Sequence, residues 1–265
     1  MADVSPVVPP VIELLDVTRR FGEITVLDSV TLRFPSGLTT AIIGPSGAGK
    51  SVLLKVLVGL LKPDAGTVRL FGHDVTEAPE RELFAARRRI GMLFQDGALF
   101  DSLTVGENVA FPLDQHRRDL AGAERDRRVA EKLEWVGLPG FEDRPIASLS
   151  GGQRKRVGLA RAIVLEPEVV LFDEPNSGLD PFTSDQIDDL VLDMKRRLGI
   201  TFVIISHDIV GTVKVADLVG MLYEGRLVEY GPTADFVRSG NPIVKSFLRR
   251  NLAPPVSAFD PGEGR

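Results

Sequence analysis

Cysteine is absent from the 265 residues. That excludes disulfides, thiolate metal sites and cysteine nucleophiles, and it suits a reducing compartment. Positive charge is not in excess: 32 Lys and Arg against 37 Asp and Glu leave a net −5. A chain without a basic footprint is poorly suited to nucleic acid, and no nucleic-acid partner is expected. No apolar run approaches the roughly 18 residues of a membrane helix; blocks such as Val203-Ile204-Ile205 are strand-sized. The first ten residues carry Asp3 and prolines, with neither the basic nor the apolar region of a secretion signal. The chain is expected in the cytoplasm, and any work at a membrane requires an anchoring partner. With 43% hydrophobic and 26% charged residues, disorder and collagen-like structure are excluded as overall readings. The length suits about two compact units or one large α/β domain.

Met1–Pro10 reads as a loose arm. Val11–Val17 and Ser29–Phe34 read as partner strands, Leu38–Ile43 as a short strand, Lys50–Leu61 as a buried helix and Thr67–Phe71 as a further strand. From about Asp96 to Leu149 the pattern turns charged and helical, as in Gly122–Val136. Strands resume at Val169–Asp173 and Thr201–Ile205. Alternating strands and helices imply a mainly parallel sheet covered on both faces.

Glycine is 26 of 265 residues, and part of the excess lies in one loop. Gly44-Pro45-Ser46-Gly47-Ala48-Gly49-Lys50-Ser51 fits the phosphate-binding pattern G-x-x-x-x-G-K-[ST] between a strand and a helix. Glycines let backbone N–H groups turn toward phosphate oxygens. The helix that follows presents its positive end to the same anion. Lys50 supplies charge to the β- and γ-phosphates, and Ser51 offers a hydroxyl to Mg²⁺.

Two further elements suit the same ligand. Val169–Asp173 is an apolar strand that delivers Asp173, and then Glu174, to its end. Beside a phosphate loop, Asp173 belongs in the Mg²⁺ shell and Glu174 can accept a proton from an attacking water. Leu149-Ser150-Gly151-Gly152-Gln153 precedes a helix at Arg154–Leu165 and forms a second anion site at a helix start, or simply a helix cap. One nucleotide uses both glycine elements only if they converge, within one chain or between two.

In this order the motifs resemble those of the ATP-binding cassette (ABC) ATPases, from about Ile12 to Gly231. The resemblance implies an α/β fold: a P-loop NTPase (RecA-like) core with an antiparallel β-subdomain and a helical subdomain. A single ABC ATPase domain would span 11–248, with core 11–94 and 150–235, helical subdomain about 95–149, and a C-terminal tail at 249–265. ATP and Mg²⁺ are the implied cofactors. Phe21 matches the aromatic that stacks on adenine. Gly44–Ser51, with Val52, is the Walker A element. Gln95 is the Q-loop glutamine, assigned to catalysis and to the metal with Ser51 and Asp173. Leu149–Gln153 is the signature, Ser177–Asp180 the D-loop with Asp180 toward nucleotide, Glu174 the catalytic glutamate and His207 the switch histidine. Asn176 and Gly178 depart from the usual Thr and Ala. His73 and His116 are expected to be ordinary surface residues. The family further implies a head-to-tail homodimer, with each ATP between Walker A of one copy and the signature of the other. A multi-pass permease is expected beside the Q-loop.

Phe94–Phe100 and Glu107–Leu113 look like the Mla and Mce/Mkl lipid-transport branch. That likeness implies phospholipid movement between bacterial envelope membranes, at the cytoplasmic face of the inner membrane. Its partners would be a periplasmic MCE-domain lipid-binding protein and, in some systems, a small STAS-domain subunit. An importer of a polar solute such as an amino acid would have a similar cassette. A soluble ABC ATPase of repair or translation usually carries two cassettes or a long coiled coil, which this chain lacks. A P-loop kinase would lack the signature. Leu99 and Phe100 are expected to form an exposed apolar pair that meets the permease.

Overall fold

The computed structural model describes residues 9–95, 97–117 and 119–252. Asp96, most of the N-terminal arm and 253–265 of the expected tail lie outside them. The chain opens with two long strands, β1 (Pro10–Phe21) and β2 (Ile24–Pro35), joined by a tight hairpin. A buried strand, β3 (Thr39–Ile43), runs through the glycine loop into α1 (Lys50–Leu57). Then come β4 (Ala65–Leu70), the short β5 (His73–Asp74), α2 (Glu80–Arg87) and β6 (Ile90–Leu93). A helical stretch holds α3 (Val105–His116), α4 (Gly122–Trp135) and α5 (Gly151–Ile163). The remainder alternates: β7 (Val169–Asp173), α6 (Pro181–Leu198), β8 (Thr201–Ser206), α7 (Ile209–Val215), β9 (Leu218–Tyr223), β10 (Arg226–Pro232), α8 (Thr233–Phe236) and α9 (Pro242–Leu252).

Two sheets result. One is antiparallel, in the order β2-β1-β4-β5. The other runs β10-β9-β3-β8-β7-β6; all its neighbours pair in parallel except β10 on β9. The fold is thus mixed α/β, and the expected parallel sheet carries one antiparallel edge strand. Successive side chains of a strand face opposite ways, and the central strands use this to serve two cores. Val170, Phe172, Phe202 and Ile204 enter the core shared with α3, α4 and α5. Val169, Leu171, Val203 and Ile205 enter the one shared with α1 and the antiparallel sheet. Burial on both faces is why these strands read as unbroken apolar runs.

The structure departs from the sequence reading at several element ends: β2 begins at Ile24 rather than Ser29, α5 spans Gly151–Ile163 rather than Arg154–Leu165, and β4 spans Ala65–Leu70 rather than Thr67–Phe71. Helix α1 stops at Leu57, not Leu61, since Val58 and the left-handed Gly59 turn the chain out first. Strand β1 continues to Phe21, four residues past Val17, through irregularities in its pairing with β2. Helix α9 runs to Leu252, so residues 249–252 are helical rather than tail; its Val244 and Leu248 bury an apolar face against Ile209, Met221 and Phe236.

Candidate functional site

The ends of β3, β7 and β8 are neighbours, because the register pairs Ile43 with Ser206 and Asp173 with Ile205. Three chain segments separate in sequence therefore meet at one edge of the sheet. There a cavity of about 470 Å³ is lined by Ser46, Lys50, Ser51, Gln95, Asp173 and Glu174, among others. His207, Ser177, Val52 and Val26 line it too, with Gly47 and Gly49.

The phosphate loop owes its shape to close backbone approach. A Cβ on Gly44 would sit 2.1 Å from the carbonyl oxygen of Leu222, and one on Gly49 2.7 Å from that of Val26. Gly49 has φ 102°, a region open to glycine. It starts α1 without a side-chain cap, so the first amides of the helix face the cavity mouth as donors for an anion. Lys50 folds back on the loop: its Nζ donates to Gly44 O at 2.7 Å and Pro45 O at 3.1 Å. Burial pulls its ammonium below the ordinary lysine range, opposed by Glu174 and Asp173.

The acids differ in setting. Burial raises the Asp173 carboxyl, the Glu174 charge adds to this, and Lys50 opposes it. Such a carboxylate is short of positive charge. With the Ser51 hydroxyl and the Gln95 amide in the same cavity, it fits a hard, oxygen-seeking cation. Among the described residues, no group of three or more acids and histidines is arranged to hold a metal alone. The fit is to a cation such as Mg²⁺, completed by phosphate and water.

Glu174 has φ 50°, the left-handed region, which costs a non-glycine residue about 1–3 kcal/mol. Its N–H donates to Ile205 O at 2.8 Å. Its Oε2 accepts from the His207 N–H at 3.2 Å and lies 2.7 Å from His207 Nδ1; its Oε1 is 3.9 Å from Lys50 Nζ. A carboxylate so held can receive a proton from water and pass charge toward histidine. Gln95 Nε2 donates to Ser177 Oγ at 3.2 Å, which joins the loop after β6 to the loop after β7.

Other expected site residues stand elsewhere. Ser150 and Gln153 form a reciprocal capping box on α5: Ser150 Oγ accepts from Gln153 N at 3.3 Å, and Gln153 Oε1 accepts from Ser150 N at 3.0 Å. No signature residue lines the phosphate cavity; Gly151 lines a separate one with Leu179. Asp180 caps α6, accepting from Thr183 N at 3.0 Å, and its hydrogen bonds from Thr183 hold its carboxyl below the usual range. Pro45 and Ala48 shape the loop from behind, Ala48 buried. Phe21, at the hairpin tip, is 45% exposed with the Arg19 guanidinium 4.8 Å from its ring.

Two expectations require correction. Leu99 is not part of an exposed pair: it packs against the core around α3 and α5, and Phe100 alone is exposed. His116 is not an ordinary surface residue. Its ring is 5.3 Å from that of Phe84, and burial, with Arg88 near, lowers its pKa. His116 and Arg88 border a groove of about 470 Å³ that Phe94, Phe100 and Phe111 also line. Phe100 and Phe111 pack at 4.7 Å. Sequence reasoning passed over Val26 and Ser177 as lining residues; Ser177 lay inside a quoted motif, whereas Val26 carried no signal.

A family model described as ABC transporter matches residues 27–177. The probable ribonucleotide transport ATP-binding protein mkl of Mycobacterium leprae is 42% identical over 245 residues, 92% of this chain and 70% of the relative. The methionine import ATP-binding protein MetN of Geobacillus kaustophilus is 45% identical over 237 residues, 88% and 68% of the two chains. Among solved structures, cbiO1 of Clostridium perfringens, part of an ABC transporter complex, superposes with a TM-score of 0.81 at 30% identity, covering 92% of this chain and 96% of its own. A dimeric ATP-binding cassette in a post-hydrolysis state with ADP and Pi gives 0.76 at 33%, covering 84% and 98%. With these likenesses running through the phosphate loop, the strand-end acids and the whole mixed sheet, the chain belongs to the ABC transporter family as an ATP-binding subunit, similar to Mkl, that couples ATP hydrolysis to transport.

Proposed function

We propose that two copies of this chain pair head to tail, enclose ATP between Walker A of one and the signature of the other, and drive a multi-pass permease that moves phospholipid. The observation that carries the pairing is that the two glycine elements line separate cavities in one chain. A γ-phosphate contacted by both must lie between chains. Core segments 11–94 and 150–235 would bind nucleotide, and the segment from about 95 to 149 would form the helical subdomain.

Lys50 would leave its loop carbonyls for the β- and γ-phosphates. Ser51, Asp173 and Gln95 would hold Mg²⁺, which when bound neutralises phosphate charge. Glu174 would take the proton of the attacking water, with His207 sharing its charge at 2.7 Å. Phe21 would stack on adenine. Phe21→Ala should weaken ATP binding by about 1–3 kcal/mol, with little change in turnover at saturating ATP; a fluorescent-ATP titration beside a turnover assay separates the two. A large fall in turnover at unchanged affinity would contradict the role.

The aromatic groove beside Gln95 is the surface for the permease, because exposed Phe94, Phe100 and Phe111 lie together there. Among the described residues no helix is long and apolar enough to cross a membrane, so the permease would supply the anchor at the inner membrane. Phe100→Ala should spare folding and basal ATPase yet uncouple the assembled transporter, as read by transport per ATP. Lost stability of the isolated chain would mean that Phe100 serves packing alone.

Phospholipid is favoured as cargo by the likeness of Phe94–Phe100 and Glu107–Leu113 to the lipid branch. The names of two relatives, ribonucleotide transport and methionine import, favour a small polar solute instead. Purification of the native complex decides. Phospholipid with an MCE-domain protein, and a STAS-domain subunit where present, supports the first; a soluble amino-acid- or nucleotide-binding protein in that place overturns it.

A further inference from the structure

Lys155 belongs to none of the motifs considered so far, yet it is 5% exposed. It sits on the first turns of α5, just after the capped signature. Its Nζ reaches across to the loop after β7 and donates to Pro175 O at 2.6 Å, Ser177 O at 2.7 Å and Glu174 O at 3.3 Å. These carbonyls belong to the turn that presents Glu174 to the phosphate cavity. Carbonyls that converge on one ammonium form a local main-chain cradle for a cation.

The turn needs such a hold. Glu174 occupies the left-handed region without being glycine and precedes a proline, which further restricts its backbone. On the amide side it is tied to Ile205 O on β8. On the carbonyl side Lys155 is the tie from outside the turn. A residue kept in a sparsely populated backbone state requires surroundings that determine it, and the direction of its carboxylate follows that backbone.

We propose that Lys155 is a positioning residue for ATP hydrolysis, which fixes the main chain of the Glu174–Ser177 turn to the signature helix. It touches neither nucleotide nor water and acts through Glu174. Resting on the head-to-tail reading, this has a second meaning. Helix α5 begins at Ser150-Gly151-Gly152, which would face the ATP held by the partner's Walker A, whereas Glu174 serves the ATP of its own chain. Lys155 then links the two nucleotide sites of the dimer through one rigid helix.

The test is steady-state ATPase kinetics on the full chain carrying Lys155→Met or Lys155→Gln, with thermal melting and ATP-driven dimerisation by light scattering. Methionine keeps length and removes the donor; glutamine keeps two amide hydrogens. The Met variant should lose about 10- to 100-fold in kcat, the scale for small misplacement of a reacting group, with KM for ATP nearly unchanged. The Gln variant should recover part of that loss, and both should still dimerise with ATP. Wild-type kcat in the Met variant overturns the proposal. So does a kcat loss that tracks the melting temperature with Gln no better than Met, which marks a folding role, or loss of dimerisation in the variants alone, which marks a role in assembly. Failure of the wild-type chain and of Glu174→Gln to dimerise would instead refute the head-to-tail reading, and the kcat and KM comparison would still judge Lys155.

Discussion

Lys50→Ala should give a folded protein that hydrolyses no ATP above background. On the proposed reading the ammonium is the mobile cation of the phosphate loop; it is 8% exposed and rests on the carbonyls of Gly44 and Pro45. Those two carbonyls mark where it waits, and a γ-phosphate in the cavity would draw it away, since an ammonium is attracted more strongly by a full negative charge than by a carbonyl dipole. Alanine removes the charge and leaves the glycine turns, which depend on backbone approach rather than on Lys50. The fold should survive because β3 and α1 are held by buried Ile42, Leu53 and Leu57. Phosphate release and thermal melting are the paired measurements. Turnover near that of the unaltered chain would end the assignment of this loop.

Glu174→Gln should bind ATP and hydrolyse it about 10²–10⁴-fold more slowly, the usual loss on removal of a general base. Glutamine preserves shape, and its carbonyl oxygen can still accept from the His207 N–H, so the turn should persist. What is lost is the capacity to take a proton from water. Uncleaved ATP should then hold two copies together, and light scattering in saturating Mg-ATP should report a dimer that dissociates when nucleotide is removed. A monomer under those conditions, in the free protein and the permease-bound complex alike, would refute the shared site.

The parts legible from sequence were those where local chemistry and position coincide. Gly44–Ser51 announced itself because a phosphate loop needs glycine at fixed offsets before a lysine. Asp173 and Glu174 were readable because a doubly buried strand must end where its carboxylates begin. Strand β9 escaped notice because Gly220 interrupts a short apolar run, and because its place beside β3 is a matter of long-range pairing. Phe100 and Leu99 are adjacent and both apolar, yet one faces out and the other the core; that division is decided by α3 and α5, far along the chain. Lys155 looked like any helix lysine in a charged segment. Its partners are backbone carbonyls, which have no residue type to notice.

The loop that carries Phe100 is fastened on two sides. Asn108 on α3, fully buried, accepts from Phe100 N at 2.8 Å and donates to Phe100 O and Thr104 O. Arg161 on α5 donates to Gly97 O and Ala98 O at 2.5 and 2.8 Å. A push on Phe100 therefore cannot be absorbed by the loop itself. It is passed on to α3 and to α5, and α5 is itself packed on β6 and fastened by Lys155 to the turn after β7. A force on the Phe100 face would then be felt at the start of α5 and at the turn that presents Glu174, and not as a wave of local rearrangements.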